Sequence, residues 1–201
     1  MSTFHTTLTL GAVHFKKLKI TDPYSLHRVV YGLFDEKSKD GANGNRILYC
    51  DMGGDFGQRR IEILSGSAPD TSQVGQSSLC VKQITDRFFQ YDTYMFRVTV
   101  NPIRRRESAE FPIIEKQEAI TWFTQKATAW GFEVQPTGIE IDSMNPIHFE
   151  AKEKHIVTIN QAKIRGALRV VDREKFIHSA KNGIGRGKSF GCGLLLLQPA
   201  V

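Results

Sequence analysis

Twice along the chain, short β-forming runs and amphipathic helical stretches follow one another in the same order, and that order limits the fold more than any other feature. Residues 3–10 (TFHTTLTL) read as an opening strand. Asp22-Pro23 reads as a helix start, an Asp N-cap followed by proline at the first helical position, and the helix runs to about Phe34. Residues 46–52 and 59–64 are strands joined through Gly53-Gly54-Asp55. Residues 65–78 form a polar loop or a short irregular helix, 79–84 a strand and 85–92 a connector. In the second half, 94–100 is a strand, 113–130 a helix ended by Gly131, and 132–141 a strand region. Residues 148–149 and 155–159 pair as a hairpin, 164–171 extends the sheet, 175–181 is a short helix and 192–197 closes the domain. Each half is then β-α-β-β-α-β, the ferredoxin-like order. The expected fold is α+β, two tandem ferredoxin-like (RRM-like) domains over residues 1–90 and 93–201. No sequence repeat accompanies the repeated architecture, and the second helix of the first half is barely signalled.

A length of 201 residues suits two small domains with real cores, and 40% hydrophobic with 24% charged residues is ordinary for a folded chain. No apolar run approaches the roughly 20 residues that span a bilayer, and the N-terminus shows no secretory signal pattern. Three widely spaced cysteines, Cys50, Cys80 and Cys192, make neither a disulfide framework nor a zinc site. A reducing cytosol is the expected compartment.

The formal charge of +6 is unevenly placed. From Lys152 to Gly191 the chain carries +7, while the remainder sums to −1. Clustered positive charge beside glycines is the electrostatic footprint of a polyanion binder.

Two constellations bear chemistry. At about 100° per residue, Leu26, Val29, Val30 and Leu33 share one side of the first helix, and Tyr24, His27, Arg28 and Tyr31 share the other. Histidine can exchange a proton near neutral pH, and a neighbouring phenol or guanidinium can orient a phosphate. The second constellation is Asn182 to Gly193, which holds five of the chain's 17 glycines, at 183, 185, 187, 191 and 193. Such a loop lets backbone N–H groups approach a phosphate chain, with Arg186 and Lys188 adding charge. It is not a P-loop: Asn182 stands where the first glycine is required, and a strand rather than a helix follows.

Weaker signals are Arg104-Arg105-Arg106 after Asn101-Pro102, and Lys152, Lys154, His155 and Lys163 around the expected hairpin, where a basic β-ribbon can enter a nucleic-acid groove. His148 and His155 have no third ligand in register, so no metal site is expected.

Three segments, in order, resemble the CRISPR repeat-RNA endoribonuclease family CasE, the processing subunit of Cascade. They are Asp22-Pro23-Tyr24-Ser25-Leu26-His27-Arg28, then Tyr94 to Pro102 (YMFRVTVNP), then Gly183 to Leu195 (GIGRGKSFGCGLL). The resemblance implies tandem ferredoxin-like domains and metal-independent cleavage of the hairpin repeat in precursor CRISPR RNA. It also implies retention of the mature crRNA and assembly with other Cascade subunits in the prokaryotic cytoplasm, with no membrane and no small-molecule cofactor. The family's catalytic histidine and the tyrosine one turn before it fall on His27 and Tyr24. The residues expected to hold RNA are Arg28, Arg104, Arg105, Lys152, Lys154, Lys163, Arg165, Gly185, Arg186, Gly187, Lys188 and Ser189. Ser189 is a departure, because the family often has alanine after the loop lysine.

Metal-free RNA cleavage uses the ribose 2′-OH as internal nucleophile and gives a 2′,3′-cyclic phosphate and a 5′-OH. His27 would serve as general base or general acid, and the sequence leaves both open. A non-catalytic RNA-binding subunit with the same fold is the rival expectation.

Overall fold

In a computed structural model of the chain, the described residues are 2–34, 46–54, 57–107, 109–150 and 156–200. They divide into two compact units, residues 1–85 with Ser189–Gly191, and residues 86–188 with 192–201. No described helix is long and apolar enough to cross a membrane.

The first unit runs β1 (Thr3–Gly11), α1 (Ala12–Leu18), α2 (Pro23–Gly32), β2 (Leu48–Gly54), β3 (Gln58–Ser65) and β4 (Leu79–Ile84). Its antiparallel sheet has the order β2-β3-β1-β4, with Leu8 opposite Ile61. Alternation along β1 sends Leu8 and Leu10 to the face that also carries Ile61 and Ile63, and α2 packs there through Leu26, Val29, Val30 and Leu33. The expected stripe is therefore the buried one. The helix start is as read: Asp22 accepts from the Ser25 N–H at 2.6 Å, Ser25 Oγ accepts from the Asp22 N–H at 2.9 Å, and Pro23 follows the cap.

Two elements of this unit differ from expectation. Ala12–Leu18 forms a helix that no sequence signal marked, because it is only seven residues long, buries none of them and starts at Gly11 rather than at a side-chain cap. His14 anchors it instead, its Nδ1 accepting from the Gly11 N–H at 3.1 Å. The weakly signalled second helix is a single 3₁₀ turn, Gln76–Ser78. Gly66, Pro69 and Gly75 leave that stretch no helical run, and Val74 alone reaches the core.

The second unit runs β5 (Thr93–Val100), β6 (Ile103–Arg106), β7 (Ala109–Pro112), α3 (Lys116–Ala127), β8 (Phe132–Glu133), β9 (Ile139–Glu150), β10 (Ile156–Val170), α4 (Arg173–Asn182) and β11 (Leu196–Pro199). Its main sheet has the order β11-β5-β10-β8, with β9 also paired to β10. The order puts the first and third major strands at the centre and the second and last at the edges, as in the first unit. Both units therefore have the ferredoxin-like arrangement. Tyr94, Phe96, Phe123, Phe132 and Phe176 fill the core, Phe96 stacking on Phe123 at 5.6 Å.

Local boundaries move for identifiable reasons. The helix expected from residue 113 begins at Lys116, because the Ile113 N–H donates to Pro102 O and so closes the small β6–β7 hairpin. Of the pieces expected at 148–149, 155–159 and 164–171, the described residues up to Val170 belong to one long β9–β10 hairpin, paired from Gly166–Ile139 to Ile156–Glu150, and His155 lies outside the described residues. Leu194 and Leu195 are buried but precede the last strand, which starts only at Leu196. The residues before it are used to close the glycine-rich loop, where the Gly193 N–H donates to Thr99 O at 2.7 Å.

Candidate active site and basic surface

In the first unit, the face of α2 opposite the core presents Tyr24, His27, Arg28 and Tyr31. Tyr24, His27 and Tyr31 are half-buried and Arg28 is exposed. The His27 ring lies 4.2 Å from the Tyr31 ring and 6.2 Å from the Tyr24 ring, centroid to centroid, and the Arg28 guanidinium lies 5.8 Å from the Tyr24 centroid. Ser189–Gly191 completes this cluster: the Phe190 ring is 5.6 Å from His27, and His27 Nδ1 is 2.7 Å from Ser189 O.

The last contact has a chemical consequence. A carbonyl oxygen only accepts, so Nδ1 carries the proton and donates to Ser189 O, leaving the lone pair of the neutral ring on Nε2. Burial lowers the His27 pKa below the ordinary histidine value, and the Ser189 carbonyl raises it by a smaller amount. At neutral pH the ring is thus an uncharged base at Nε2. Burial raises the Tyr31 pKa, while the Ser189 side chain and the Arg46 charge lower it, so Tyr31 remains a neutral phenol; its hydroxyl donates to Ile47 O at 3.3 Å. Tyr49, in β2 and almost fully buried, donates its hydroxyl to the same Ser189 O at 3.0 Å.

Tyr31, Phe190 and Tyr49 are absent from the site residues expected from sequence. Helical spacing already put Tyr31 beside His27. Phe190 lies in the glycine-rich motif but no pattern there gave it a role. Tyr49 had no signal at all, because 140 residues separate it from Ser189.

In the second unit, the loop between α4 and β11 is closed at its base by the Ile184 N–H donating to Gly193 O at 2.9 Å. Gly193 must be glycine: its φ is +85°, and a Cβ would fall 2.4 Å from Ile184 O. Lys188 Nζ is turned to Asn182 O, 2.9 Å away, where it satisfies a carbonyl at the C-terminal end of α4. Gly185 and Gly187 also have positive φ and lie on the span between these anchors.

The structure places the expected phosphate contacts of this unit in different electrostatic settings. Arg105 and Arg186 share one carboxylate, Glu110, at 3.1 and 2.6 Å. Arg104 pairs with Glu118 at 2.7 Å. Arg165 lies between Glu140 and Asp142, at 2.6 and 2.8 Å, so its charge is more than offset. Lys163 is on β10 opposite Ser143, at the edge of the hairpin's register shift. Lys152 and Lys154 lie outside the described residues. Among the described residues, no group of three or more His, Cys, Asp or Glu could hold a metal ion.

The chain is 25% identical over 191 residues to the CRISPR system Cascade subunit CasE of Escherichia coli K12, covering 89% of this chain and 92% of that one. Its fold is similar to that of Thermus thermophilus Cse3 bound to an RNA representing a pre-cleavage complex, with a TM-score of 0.80, 20% identity and coverage of 99% of this chain and 100% of the other. It is also similar to Cas6e from Escherichia coli K-12, with a TM-score of 0.63, 20% identity and coverage of 98% and 100%. The family described as CRISPR associated protein matches residues 4–199, and the chain belongs to that family, in agreement with its CasE-like motifs.

Proposed function

We propose that the chain is a metal-independent endoribonuclease that cuts the hairpin repeat of precursor CRISPR RNA and keeps the mature crRNA as a subunit of Cascade in the prokaryotic cytoplasm. The observation that carries this reading is the neutral His27 ring, held with its proton on Nδ1 and its lone pair on Nε2. The Cascade subunit CasE and the RNA-bound Cse3 among its relatives support the substrate class.

In this mechanism His27 Nε2 removes the proton of the ribose 2′-OH. The 2′-oxygen bonds to phosphorus, the bond from phosphorus to the 5′-oxygen breaks, and that oxygen takes a proton from water. The products are a 2′,3′-cyclic phosphate and a 5′-OH. General base help of this kind typically supplies ~10²–10⁴-fold. Tyr24, one turn before His27, orients the ribose or phosphate, and Arg28 contacts the phosphate. In-line placement of the nucleophile supplies much of the remaining acceleration.

We assign catalysis to an N-terminal domain of residues 1–90 and the hold on RNA to a C-terminal domain of residues 93–201. Gly185, Arg186, Gly187, Lys188 and Ser189 of the glycine-rich loop, Arg104 and Arg105 of β6, Lys163 and Arg165 of β10, and Lys152 and Lys154 are the proposed RNA contacts. The deciding test incubates the protein with repeat RNA with and without EDTA, beside His27→Ala and an RNA carrying a 2′-deoxy ribose at the cut. Cleavage in EDTA that both changes abolish, with RNA binding retained, supports the reading. Tight binding by the unmodified protein without any cyclic phosphate product would mark it as a non-catalytic RNA-binding subunit.

A further inference from the structure

Two donors from distant parts of the first unit meet on one backbone oxygen. The Tyr49 hydroxyl donates to Ser189 O at 3.0 Å, and His27 Nδ1–H donates to the same oxygen at 2.7 Å. We propose that Tyr49 is a positioning residue for His27, acting through the Ser189 carbonyl to hold the imidazole in the Nδ1–H tautomer that frees Nε2. The inference rests on the proposed endoribonuclease reading for its catalytic meaning, but the positioning itself can be observed without any RNA.

A single short turn is a poor anchor unless something holds it, since glycines on either side can rotate with little steric cost. Ser189 is the middle residue of such a turn, the 3₁₀ turn Lys188–Phe190, which follows Gly185 and Gly187 and precedes Gly191, all with positive φ. Tyr49 supplies the missing rigidity. It lies on β2, where Tyr49 is paired with Ile63, and only 1% of it is exposed. Its phenol ring therefore has its position set by the sheet rather than by the loop. On the far side of the contact, a Cβ on Gly191 would lie 3.4 Å from Tyr49 Cε2, at van der Waals range, so the chain after Phe190 runs beside the ring. The carbonyl uses its two lone pairs on two donors, one from the sheet and one from α2.

The arrangement has the logic of a catalytic base oriented by a third group. Here the third group is a neutral carbonyl instead of a carboxylate. It fixes the tautomer without adding a negative charge next to the scissile phosphate. His14 in the same unit shows the opposite choice. Its Nδ1 accepts from the Gly11 N–H, so its proton is on Nε2, 3.2 Å from Ser78 Oγ. A neutral histidine whose ring nitrogens face only water favours the Nε2–H form. The Nδ1–H form at His27 is thus one that the fold must impose.

The test is nitrogen NMR of the imidazole rings in ¹⁵N-histidine-labelled protein, with the His27 signals identified by their loss in His27→Gln. His27 should show its proton on Nδ1, and His14, in the same spectrum, on Nε2. In Tyr49→Phe, which keeps the ring volume, the His27 signal should move toward the Nε2–H form. The single-turnover cleavage rate should fall about 5- to 10-fold, as for loss of one hydrogen bond, with RNA affinity within about twofold. Ser189→Ala, which deletes the hydroxyl and keeps the carbonyl, should leave the His27 tautomer in place. A His27 proton found on Nε2 in the unsubstituted protein overturns the proposal, as does a slower Tyr49→Phe protein with its His27 tautomer unchanged. Should the protein cut no RNA while the tautomers behave as described, the positioning stands and the endoribonuclease reading falls. Should it cut RNA with the His27 proton on Nε2, the endoribonuclease reading stands and the positioning falls.

Discussion

His27 Nδ1 lies 2.7 Å from the carbonyl oxygen of Ser189, 162 residues further along the chain. That distance joins the two segments in which the sequence concentrates its chemistry, the polar face of α2 and the glycine-rich motif. It also leaves the lone pair of the neutral ring on Nε2, and from it follows the first prediction.

A general base acts only when unprotonated, and burial holds the His27 pKa below its ordinary value of 6.5. Raising the pH through that lowered pKa converts the ring to its active form, so single-turnover cleavage should climb along one acidic limb. The midpoint should lie below 6.5, with a plateau by neutral pH. A rate that instead declines as pH rises through this range would make His27 the general acid.

Glu110 neutralises part of a two-guanidinium site, standing between Arg105 and Arg186. Glu110→Gln should free that charge for phosphate. RNA affinity at low salt should rise by about 3- to 10-fold, and the dependence of log Kd on log salt should steepen by up to about one unit. Thermal stability should change little, since exposed ion pairs of this kind are worth about 0–1 kcal/mol. Weaker RNA binding by the variant, measured by filter binding across a salt series, would count against phosphate contact at this site.

The basic residues are not equivalent. Arg165 is bracketed by Glu140 and Asp142, whereas Arg186 shares Glu110 with Arg105. Arg186→Ala should therefore weaken RNA binding by more than Arg165→Ala, by about threefold or greater, one lost phosphate contact against almost none. Equal losses would show that RNA displaces both acidic partners of Arg165.

Gly193 closes the loop that carries Ser189. With φ at +85° and a new Cβ only 2.4 Å from Ile184 O, Gly193→Ala must distort the closure. A strain of about 1–3 kcal/mol is expected, and at about 2–4 °C per kcal/mol for a chain of this size it should appear directly in the melting temperature. Cleavage should fall further than the stability change alone explains, because the Ser189 carbonyl moves with the loop. A variant with unaltered melting and cleavage would mean that the loop base yields without strain.

Some of this was legible in sequence because the determinants are local. The Asp22 cap, Pro23 and the Leu26/Val29/Val30/Leu33 stripe act within one or two turns, so helix position and both faces of α2 could be read directly. Alternation located most strands, and their order implied the sheet. Where a local signal was weak, the reading missed: α1 is only two turns long and sets just Phe15 and Leu18, both partly buried, against the core, and residues 66–78 hold too many helix breakers to supply the second helix of the ferredoxin-like order. The start of α3 shifted because Ile113 is bonded to Pro102, a contact outside any helical window.

By itself the sequence determined which functional groups the protein has, the helix face that carries four of them, and the stretch that holds its excess positive charge. Tertiary structure alone decided what state those groups are in. The His27 tautomer depends on a carbonyl 162 residues away, that carbonyl depends on Tyr49 across 140 residues, and the charge that Arg186 can offer depends on Glu110 across 76. Hydrogen bonds and ion pairs act over about 3 Å of space, whatever the separation along the chain, so protonation and charge are set only when the fold brings their partners together.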